Sequence, residues 1–371
     1  MKNQITIIGG GLAGWATALA FIDNGFYVNL FEGSNQNFGS QQISPNGWTY
    51  LSQLLDIKKA KPLLENFNVI KIKSINRKQE LNLLCSYNVN TELGQYGSIE
   101  RSGIINLLKE KVQKTNLIKI NKSNVKYIIQ DNELNKILDD KGNLITSKFI
   151  IGADGVLGIT KKFVCGSNNS IKFKQVYRSI SYKDKPYKLT KSIMQVILTQ
   201  DGHFVIYPTI IKSKKATNYV FIPNEEGFMP PVIYNKTLKL LIPEDIEWQS
   251  LSTIKNKGEY SNIHNNGVLL VGEASIPTSP HLAQAGNQVL EDAAFIKRTL
   301  IEHKDIEKMI FSFIQNRYEQ KKNIAQKSSL IGKVLGSNNI IGNFRNTMIK
   351  SIGTSIIEDI LNPIWNTEDA K

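Results

Sequence analysis

The sequence predicts an α/β fold: a Rossmann-like domain with a parallel sheet and helices, an inserted antiparallel β-sheet domain, and a helical C-terminal region. Three observations support this prediction. An apolar run at residues 5–8 leads directly into the pattern G-x-G-x-x-G and then into a helix-like pattern, which is the order of a βαβ unit with a buried parallel strand. Residues 166–260 change to longer β segments with few helices, as in an inserted sheet. The chain beyond residue 305 reads as mostly helical.

The composition limits the class of protein. A chain of 371 residues with 41% hydrophobic and 21% charged residues suits a soluble globular protein with about two domains. The two cysteines, Cys85 and Cys165, favour a reducing, cytoplasmic compartment. The four histidines show no paired ligand spacing, so no metal site is expected. No run approaches the ~18 apolar residues that span a bilayer, and residues 1–4 leave no room for a signal peptide.

The formal net charge of +14 is compatible with two classes of anionic partner, nucleic acids and anionic membrane surfaces. The lysines are scattered through the chain, and no basic block is interleaved with aromatic residues. We therefore expect no nucleic-acid partner. Attraction of a small anionic ligand is still expected from such a charge.

The glycine pattern falls on Gly9, Gly11 and Gly14, and each glycine has a physical role in a dinucleotide-binding unit. The first permits the tight turn, the second lets a pyrophosphate approach the backbone, and the third lets the helix pack closely on the strand. The free N–H groups at the helix start, around Leu12 and Ala13, favour phosphate. A chance glycine-rich turn is the alternative.

A second strand at residues 27–31 ends in Glu32. This carboxylate follows the glycines by about 20 residues, which is the place where an acidic side chain accepts hydrogen bonds from a ribose diol. Strand, glycines, helix, second strand and terminal Glu together predict dinucleotide binding much more specifically than the glycine pattern alone.

The remaining elements follow in order. After a polar loop at residues 33–37, helices are expected at 47–59, 102–114 and 286–304, and strands at 69–87, 118–120, 125–130, 144–146, 148–151, 172–182, 192–198, 204–207, 218–222, 236–241 and 267–271. Three strand-end motifs stand far apart in this order: residues 9–14, 152–155 and 272–274. Because ligands bind at the carboxyl ends of parallel strands, we expect the three to meet around one extended cofactor.

This order of motifs resembles the single-component, FAD-dependent aromatic hydroxylases, a family of flavoprotein monooxygenases, and most closely their salicylate hydroxylase and hydroxybenzoate hydroxylase branch. The resemblance covers essentially the whole chain. Residues 43–46 look like the segment after the family's ribose-binding Glu, residues 204–208 with 218–220 look like its substrate-sheet signature, and residues 272–293 give the longest match. The resemblance implies FAD and NAD(P)H as cofactors. It also implies that residues 1–165 and 262–305 form an FAD-binding domain, 166–261 a substrate-binding β-sheet domain, and 306–371 a helical C-terminal region.

The resemblance also implies roles for single residues. Arg101 would reach the FAD pyrophosphate, and Asp154 with Gly155 would serve both FAD and NAD(P)H. Gly272 and Glu273 match the motif whose acidic residue contacts the ribityl chain. The structural alternatives are a surface ion pair for Arg101, a helix cap for Asp154 and a plain helix-start charge for Glu273.

Around the flavin ring, Pro280, Gly286 and Asn287 match the family's proline and helix start beside the isoalloxazine. The dipole of such a helix favours negative charge on a reduced flavin.

His203 and Tyr207 are four residues apart, so on a strand they share one face. Hydroxybenzoate hydroxylases carry a His and a Tyr at this interval facing the substrate, and a Gln where Gln284 stands. His203 is the preferred general base and His281 its rival. The alternative is a structural His and a core Tyr.

The chain departs from the family's pattern at several positions. Gly33 stands where the family has Arg, Gly158 where it has Ser, and Lys161 where it has Arg. Glu273 replaces Asp, Ile276 replaces His, and Ala285 replaces Gly. These changes bear on nicotinamide handling and rate more than on FAD binding.

The function implied is that of an FAD-dependent monooxygenase that uses NAD(P)H and O2 to hydroxylate a phenolic, anionic aromatic substrate through a flavin C4a-hydroperoxide. Two alternatives keep the fold: a ubiquinone-pathway or other lipophilic-ring hydroxylase or epoxidase, and a degenerate FAD-binding protein without this activity. Residues 328–365, with Lys333, Arg345 and Lys350, could bind a membrane surface, although packing on the protein's own domain is favoured. The chain would be a monomer or a homodimer.

Overall fold

The computed structural model describes residues 3–33, 39–166, 173–183, 192–232, 234–254 and 262–367. The predicted polar loop at residues 33–37 lies almost entirely outside these ranges. The strands described, in chain order, are β1 Gln4–Ile8, β2 Tyr27–Phe31, β3 Ser40–Ile43, β4 Glu65–Asn66, β5 Val69–Ile75, β6 Leu81–Asn88, β7 Gly97–Glu100, β8 Ile118–Asn121, β9 Val125–Asp131, β10 Leu134–Asp139, β11 Leu144–Ser147, β12 Ile150–Gly152, β13 Phe173–Ser181, β14 Ile193–Leu198, β15 Gly202–Ile211, β16 Lys214–Pro223, β17 Gln249–Ile254, β18 His264–Asn265 and β19 Val268–Leu270. The α-helices described are α1 Leu12–Ile22, α2 Pro45–Leu54, α3 Ile57–Ala60, α4 Arg101–Gln113, α5 Ile159–Cys165, α6 Lys236–Leu241, α7 Gly272–Ser275, α8 Ala285–His303, α9 Ile306–Leu335 and α10 Asn339–Trp365.

A six-stranded sheet in the order β18-β19-β12-β1-β2-β8 forms the centre of the Rossmann-like part. All its neighbours pair in parallel except β18 and β19. Ile5 and Ile7 of β1 are fully buried, as expected for a parallel strand that is covered on both faces. Helix α1 packs against α4 and α8. The prediction of a parallel sheet with helices is therefore confirmed.

Two glycines allow the turn between β1 and α1 to close. A Cβ at Gly14 would lie 1.8 Å from the carbonyl oxygen of Gly9. Gly9 has φ +119°, and a Cβ there would lie 2.3 Å from the carbonyl oxygen of Ala153, just after β12. The helix start and two strand ends can approach this closely only because neither position carries a side chain.

The second large sheet has seven strands in the order β17-β13-β16-β15-β14-β5-β6. The segments predicted at residues 172–182, 192–198, 204–207 and 218–222 all lie in it. The strands of the inserted segment, β13 to β17, pair antiparallel to one another as predicted, and β14 pairs in parallel only with β5, which lies outside that segment. Strands β5 and β6 also join it from residues 69–88, so the sheet is not confined to the segment 166–261.

Residues 236–241, predicted as a strand, form helix α6 instead. The Asn235 side chain accepts hydrogen bonds from the backbone N–H groups of Thr237 and Leu238, both at 3.0 Å. Such an N-cap satisfies donors that the first helical turn leaves free. The apolar residues of this segment, including Leu238, pack on the face of the seven-stranded sheet that carries Phe204 and Phe221.

Two further elements differ from the prediction. The helix predicted at residues 47–59 is interrupted after Leu54, and Asp56 caps the next short helix by accepting from the N–H of Lys58 at 3.0 Å. Strand β10 was not predicted; it pairs with β9 and β11 to form a three-stranded sheet. A further small sheet has the order β3-β7-β4.

The C-terminal part is helical, as predicted. Helices α9 and α10 have 30 and 27 residues, and α10 lies against β6 of the seven-stranded sheet. The contact is close at Gly353, where a Cβ would lie 3.0 Å from the Cβ of Cys85. Among the described residues, none of the helices is both long and apolar enough to cross a bilayer.

We predict that Gly14→Ala lowers the free energy of unfolding by about 2–3 kcal/mol, because the new methyl group must displace the Gly9 carbonyl from a packed turn. Urea unfolding followed by circular dichroism would measure this. Gly11→Ala is the matched control: no atom lies within 4 Å of its added Cβ, so a change below about 1 kcal/mol is expected. Equal losses in the two variants would contradict this account of the turn.

Candidate active site

The carboxyl ends of the central strands surround an elongated cavity of about 420 Å³. Its lining includes Gly11 from the first motif, Asp154 and Gly155 from the second, and Glu273 from the third. The three remote motifs therefore meet in one place, as the sequence predicts. A cavity of this shape at strand ends is where a doubly wound sheet binds an extended ligand.

One end of this cavity is the start of α1. Residues 9–13 all line it, and Gly11 is the N-cap residue, with no side chain to satisfy the free N–H groups of the first turn. Those donors and the helix dipole favour an anionic group. Gly14 does not line the cavity; it serves the close packing of α1 on the strand.

The carboxylate of Glu32 is bound by side chains of the protein itself. It is buried, and its carboxylate accepts hydrogen bonds from Lys109 at 2.6 Å and from the indole N–H of Trp15 at 3.2 Å. Lys122 pairs with its second oxygen. Burial acts against ionisation, but these three donors prevail and lower the pKa of Glu32. Its neighbours Phe31 and Gly33 line the cavity, so the predicted ribose contact stays a prediction.

Asp154 lies between the cavity and the start of α5. Its carboxylate accepts hydrogen bonds from the backbone N–H of Thr160, at 3.1 Å, and from the Thr160 hydroxyl, so it satisfies donors at the start of α5. The same side chain lines the cavity. Burial raises its pKa, and the Thr160 bonds oppose that rise.

Glu273 stands at the middle of the cavity wall, half-buried. Burial raises its pKa, while the charges of Arg101, Lys321 and Lys161 act in the opposite direction. Within the described ranges its carboxylate has no hydrogen-bond partner, so it can accept bonds from a ligand's hydroxyl groups. Glu in place of the family's Asp is therefore compatible with a polyhydroxyl ligand.

Two buried lysines that the sequence did not single out as site residues hold the turn that carries Glu273. Lys161 donates to the carbonyl oxygens of Ala274 at 3.0 Å and Ser275 at 3.2 Å. Lys321 donates to the carbonyl oxygen of Gly272 at 3.2 Å and to the Ser275 hydroxyl at 2.7 Å. Both ammonium groups thus lie directly behind the cavity wall.

A buried ion-pair cluster anchors Lys321 to α8. Asp292 accepts from Lys321 at 2.5 Å and from the N–H of Gly272 at 2.9 Å. Arg317 donates to Asp292 at 3.1 Å and pairs with Glu291. The sequence signal was present: Arg317 and Lys321 are one helical turn apart, so they share a face of α9.

A second cavity, of about 580 Å³, lies between the seven-stranded sheet, α10 and the residues before α8. Four residues line both cavities, so the two adjoin: Gln41, Arg101, Ala285 and Gly286. Most of its wall is aliphatic, with Ile70, Val196 and Ile357 as examples. Such a chamber suits a flat apolar ligand with a few polar groups.

His203 is the most unusual polar group of the second cavity. It is 2% exposed, lines the cavity, and neither ring nitrogen has a partner among the described residues. Burial, with the nearby His281, Lys174 and Arg345, lowers its pKa well below the ordinary value. A buried polar group without a partner is costly, so this ring is well placed to bond a ligand.

His281 lies beside it, with ring centroids 5.5 Å apart. Its Nδ1 is 3.1 Å from the hydroxyl of Ser279, and burial, with the charge of Lys174, lowers its pKa to about 4. Tyr207 lies on the same strand face as His203 and lines the same cavity. Both candidate bases, His203 and His281, therefore line the second cavity.

Two further cavity groups were not predicted. Arg178 lines the second cavity, and its Nε has no partner in the described part of the chain. Gln41 lines both cavities; its Oε1 accepts from Arg101 at 3.3 Å, and its Nε2 is unpartnered among the same residues. Arg101 itself lies where the cavities meet, and not only at the phosphate end.

Five predicted site residues line neither cavity: Gly14, Glu32, Gly272, Gln284 and Asn287. Gln284 donates to the hydroxyl of Ser44 and accepts from Asn46, both at 3.0 Å. Asn287 donates to the carbonyl oxygen of Ala283 at 2.8 Å and accepts from the N–H of Ser44. Both amides fasten the start of α8 to the start of α2, and their predicted contacts with a ligand stay predictions.

Gly272 also stands behind the wall, where its φ of +58° and the bond from its N–H to Asp292 shape the turn. Pro280 and Gly286 do line the second cavity. The start of α8 therefore points its free N–H groups towards the junction of the two cavities.

Comparisons with known proteins agree with this geometry. Residues 4–204 match the family described as Glucose inhibited division protein A. A 3-hydroxybenzoate 6-hydroxylase of Klebsiella oxytoca is 23% identical over 80% of this chain and 79% of its own length. Two solved structures share the fold: HpxO of Klebsiella pneumoniae complexed with FAD and uric acid (TM-score 0.80, 13% identity, 98% of this chain and 97% of that one), and a salicylate hydroxylase substrate complex (TM-score 0.76, 17% identity, 98% and 95%).

We predict that Lys321→Met lowers the free energy of unfolding by about 3–5 kcal/mol, because it leaves part of the charge of Asp292 buried without its partner. Thermal and urea unfolding would measure the loss. Lys322→Met is the matched control, since that lysine is partly exposed and pairs with Glu319 at the surface, and a change within about 0.5 kcal/mol is expected. Similar losses in both variants would show that the cluster does not stabilise the turn.

Proposed function

The chain belongs to the family described as Glucose inhibited division protein A, and from that premise we propose that it is an FAD-dependent monooxygenase that uses NAD(P)H and O2 to hydroxylate a phenolic, anionic aromatic substrate. The observation that carries the proposal is the junction of a cavity at the start of α1 with an apolar cavity that contains His203, whose ring nitrogens have no partner among the described residues. The printed names of the relatives, a 3-hydroxybenzoate 6-hydroxylase and a salicylate hydroxylase, support the reaction class.

The residues present fit FAD. The N–H groups of Leu12 and Ala13 at the start of α1 would hold the pyrophosphate, Glu273 would accept from the ribityl hydroxyls, and the start of α8 at Gly286 would face the isoalloxazine. The orphaned Nε2 of Gln41 at the junction gives a further donor for a polar ring edge. When bound, FAD supplies the activation of O2 with electrons taken from NAD(P)H.

The net reaction balances as Ar–H + NAD(P)H + O2 + H⁺ → Ar–OH + NAD(P)⁺ + H2O. His203 is neutral at pH 7 because its pKa is lowered, and a neutral imidazole can accept a proton. It would take the phenolic proton, so that the phenol O–H bond is exchanged for an N–H bond and the ring gains electron density. His281 is 5.5 Å away and would be the next acceptor.

The substrate would be held by its charge as well as by its ring. Arg101 and Arg178 both line the second cavity, and guanidinium groups bind carboxylates with two parallel hydrogen bonds. The aliphatic walls exclude water and leave the ring in an apolar environment. A phenol that bears a carboxylate satisfies both requirements.

A lipophilic-ring hydroxylase of the same fold is the second candidate. The second cavity, of about 580 Å³, has a largely aliphatic wall along α10, for example at Ile356, Ile360 and Leu361. This wall would accommodate an apolar extension of the ring. A degenerate flavoprotein is less well supported, because Glu273 retains an available carboxylate at the expected place. The buried Cys85 and partly buried Cys165 are free thiols, in keeping with the proposed cytoplasmic location, and a monomer or homodimer is proposed.

We predict that the purified protein shows the absorbance bands of bound flavin. Salicylate or 3-hydroxybenzoate should then accelerate NAD(P)H oxidation, with one O2 consumed per hydroxylated product. Parallel assays with NADH and NADPH would identify the preferred nicotinamide. If the protein binds FAD but no phenol changes the oxidation rate, the hydroxylase assignment fails; if it stays colourless after incubation with FAD, the cofactor assignment fails as well.

We predict that His203→Asn lowers kcat/KM for the phenol by about a hundredfold or more, with little effect on bound flavin. Because burial lowers the pKa of His203, the neutral base persists below the ordinary value of about 6.5. The wild-type rate should therefore fall only at more acidic pH, and this acid limb should vanish in the variant. His281→Asn is the comparison: should it alone abolish the limb, His281 is the base.

A further inference from the structure

The outer face of α10 carries an apolar stripe that the protein's own core does not cover. The stripe consists of Ile340, Ile341, Phe344, Met348 and Ile352, with Ile340 84% and Phe344 67% exposed. The spacing of three and four residues places Ile341, Phe344 and Met348 along one face of the helix, and Ile352 follows at a kink in α10. Single exposed apolar residues are ordinary, but a contiguous row of them marks an interaction surface.

The opposite face of α10 already supplies the helix's packing. Ile349, Gly353 and Ile357 are buried. Arg345 is buried too, and its guanidinium donates to the carbonyl oxygens of Leu335 at 2.5 Å and Ser337 at 2.9 Å, which satisfies the C-terminal end of α9. The predicted packing of this helix is therefore present, and the apolar stripe is additional to it.

The surface around the stripe is basic. From residue 320 to residue 357 the chain has no Asp or Glu and six basic residues: Lys321, Lys322, Lys327, Lys333, Arg345 and Lys350. Lys327, Lys333 and Lys350 are exposed. Leu330 and Val334 of α9 extend the apolar surface between them, at 60% and 40% exposed.

The same surface continues into the second cavity. Ile341, Phe344 and Met348 are exposed and also line that cavity, together with Val334. An apolar ligand could thus pass between α9 and α10 without leaving an apolar environment. The stripe with the exposed Lys327 and Lys333 of α9 is called the portal surface below, and three of its members, Ile341, Phe344 and Met348, form part of the wall of the second cavity.

We infer that the portal surface docks on an anionic phospholipid membrane. Exposed aliphatic and aromatic side chains insert into the interface, while lysines around them attract acidic headgroups. A second copy of the chain is a poorer occupant, because a symmetric pair would bring the same lysines of both copies together. The docking stands on the surface alone; its corollary, that an apolar aromatic substrate would enter from the membrane, rests on the second candidate function, the lipophilic-ring hydroxylase.

The test is co-sedimentation of the FAD-loaded protein with two kinds of vesicle, one of phosphatidylglycerol and phosphatidylcholine in equal parts and one of phosphatidylcholine alone. Binding is expected to the anionic vesicles only and should weaken with added salt. Lys327→Gln with Lys333→Gln should lower the partition coefficient roughly 25-fold, at about fivefold per lysine. Ile340→Ser should lower it about tenfold, since an apolar side chain no longer inserts.

Matched controls come from β9, where Ile129 is 60% exposed and Lys126 is exposed. Ile129→Ser and Lys126→Gln should change the partition coefficient less than about twofold. Neither these residues nor Ile340, Lys327 and Lys333 line either of the two cavities described, so flavin absorbance and phenol-stimulated NAD(P)H oxidation should stay unchanged in all variants.

The outcomes separate the proposals. Absence of binding, equal binding to both vesicles, or equal losses in the portal and β9 variants would overturn the docking. A dimer in light scattering that Ile340→Ser dissociates would also overturn it, because the surface would then join two copies. Vesicle binding without phenol hydroxylation would leave the docking intact and refute the proposed function, and the reverse result would refute the docking alone.

Discussion

The close approach of the first turn to two strand ends is the constraint on which the rest of this structure depends. Gly14 packs against the carbonyl of Gly9, and Gly9 packs against the carbonyl of Ala153. Because no side chain separates them, the start of α1 lies next to the end of β12, and a single cavity can include both. The same closeness leaves the N–H groups of Leu12 and Ala13 directed at the cavity, where they can bind phosphate.

The turn that carries Glu273 is held mainly by buried charges. Lys161 and Lys321 bind the backbone of the turn at residues 272–275, Asp292 pairs with Lys321, and Arg317 pairs with Asp292. Buried ion pairs give little net stability, yet losing one member leaves an uncompensated charge. The cluster therefore fixes the position of Glu273 strictly, which a ligand contact on a short turn requires.

The two cavities offer different chemical groups to a ligand. The first offers backbone donors and one available carboxylate to a long polar ligand, whereas the second offers aliphatic walls, two guanidinium groups and a neutral imidazole. Arg101 lies at the junction of the two cavities, while burial lowers the pKa of His203 in an apolar setting. The basic, apolar surface of α10 extends that apolar setting outwards, so one helix contributes to both the chamber and the exterior of the molecule.

The sequence alone determined the parallel sheet, the helical C-terminal region and the meeting of three motifs, because local periodicity and glycine placement specify strands, turns and helix starts directly. It also identified His203 and His281 through strand spacing and family resemblance. Only the tertiary structure decided that Gln284 and Asn287 turn away from the cavities, that Glu32 is held by Lys109 and Lys122, and that residues 236–241 are helical under an Asn235 cap. The reason is that side-chain partners come from elements far away in the chain, and a sequence pattern records which residues are polar but not which neighbour each one meets.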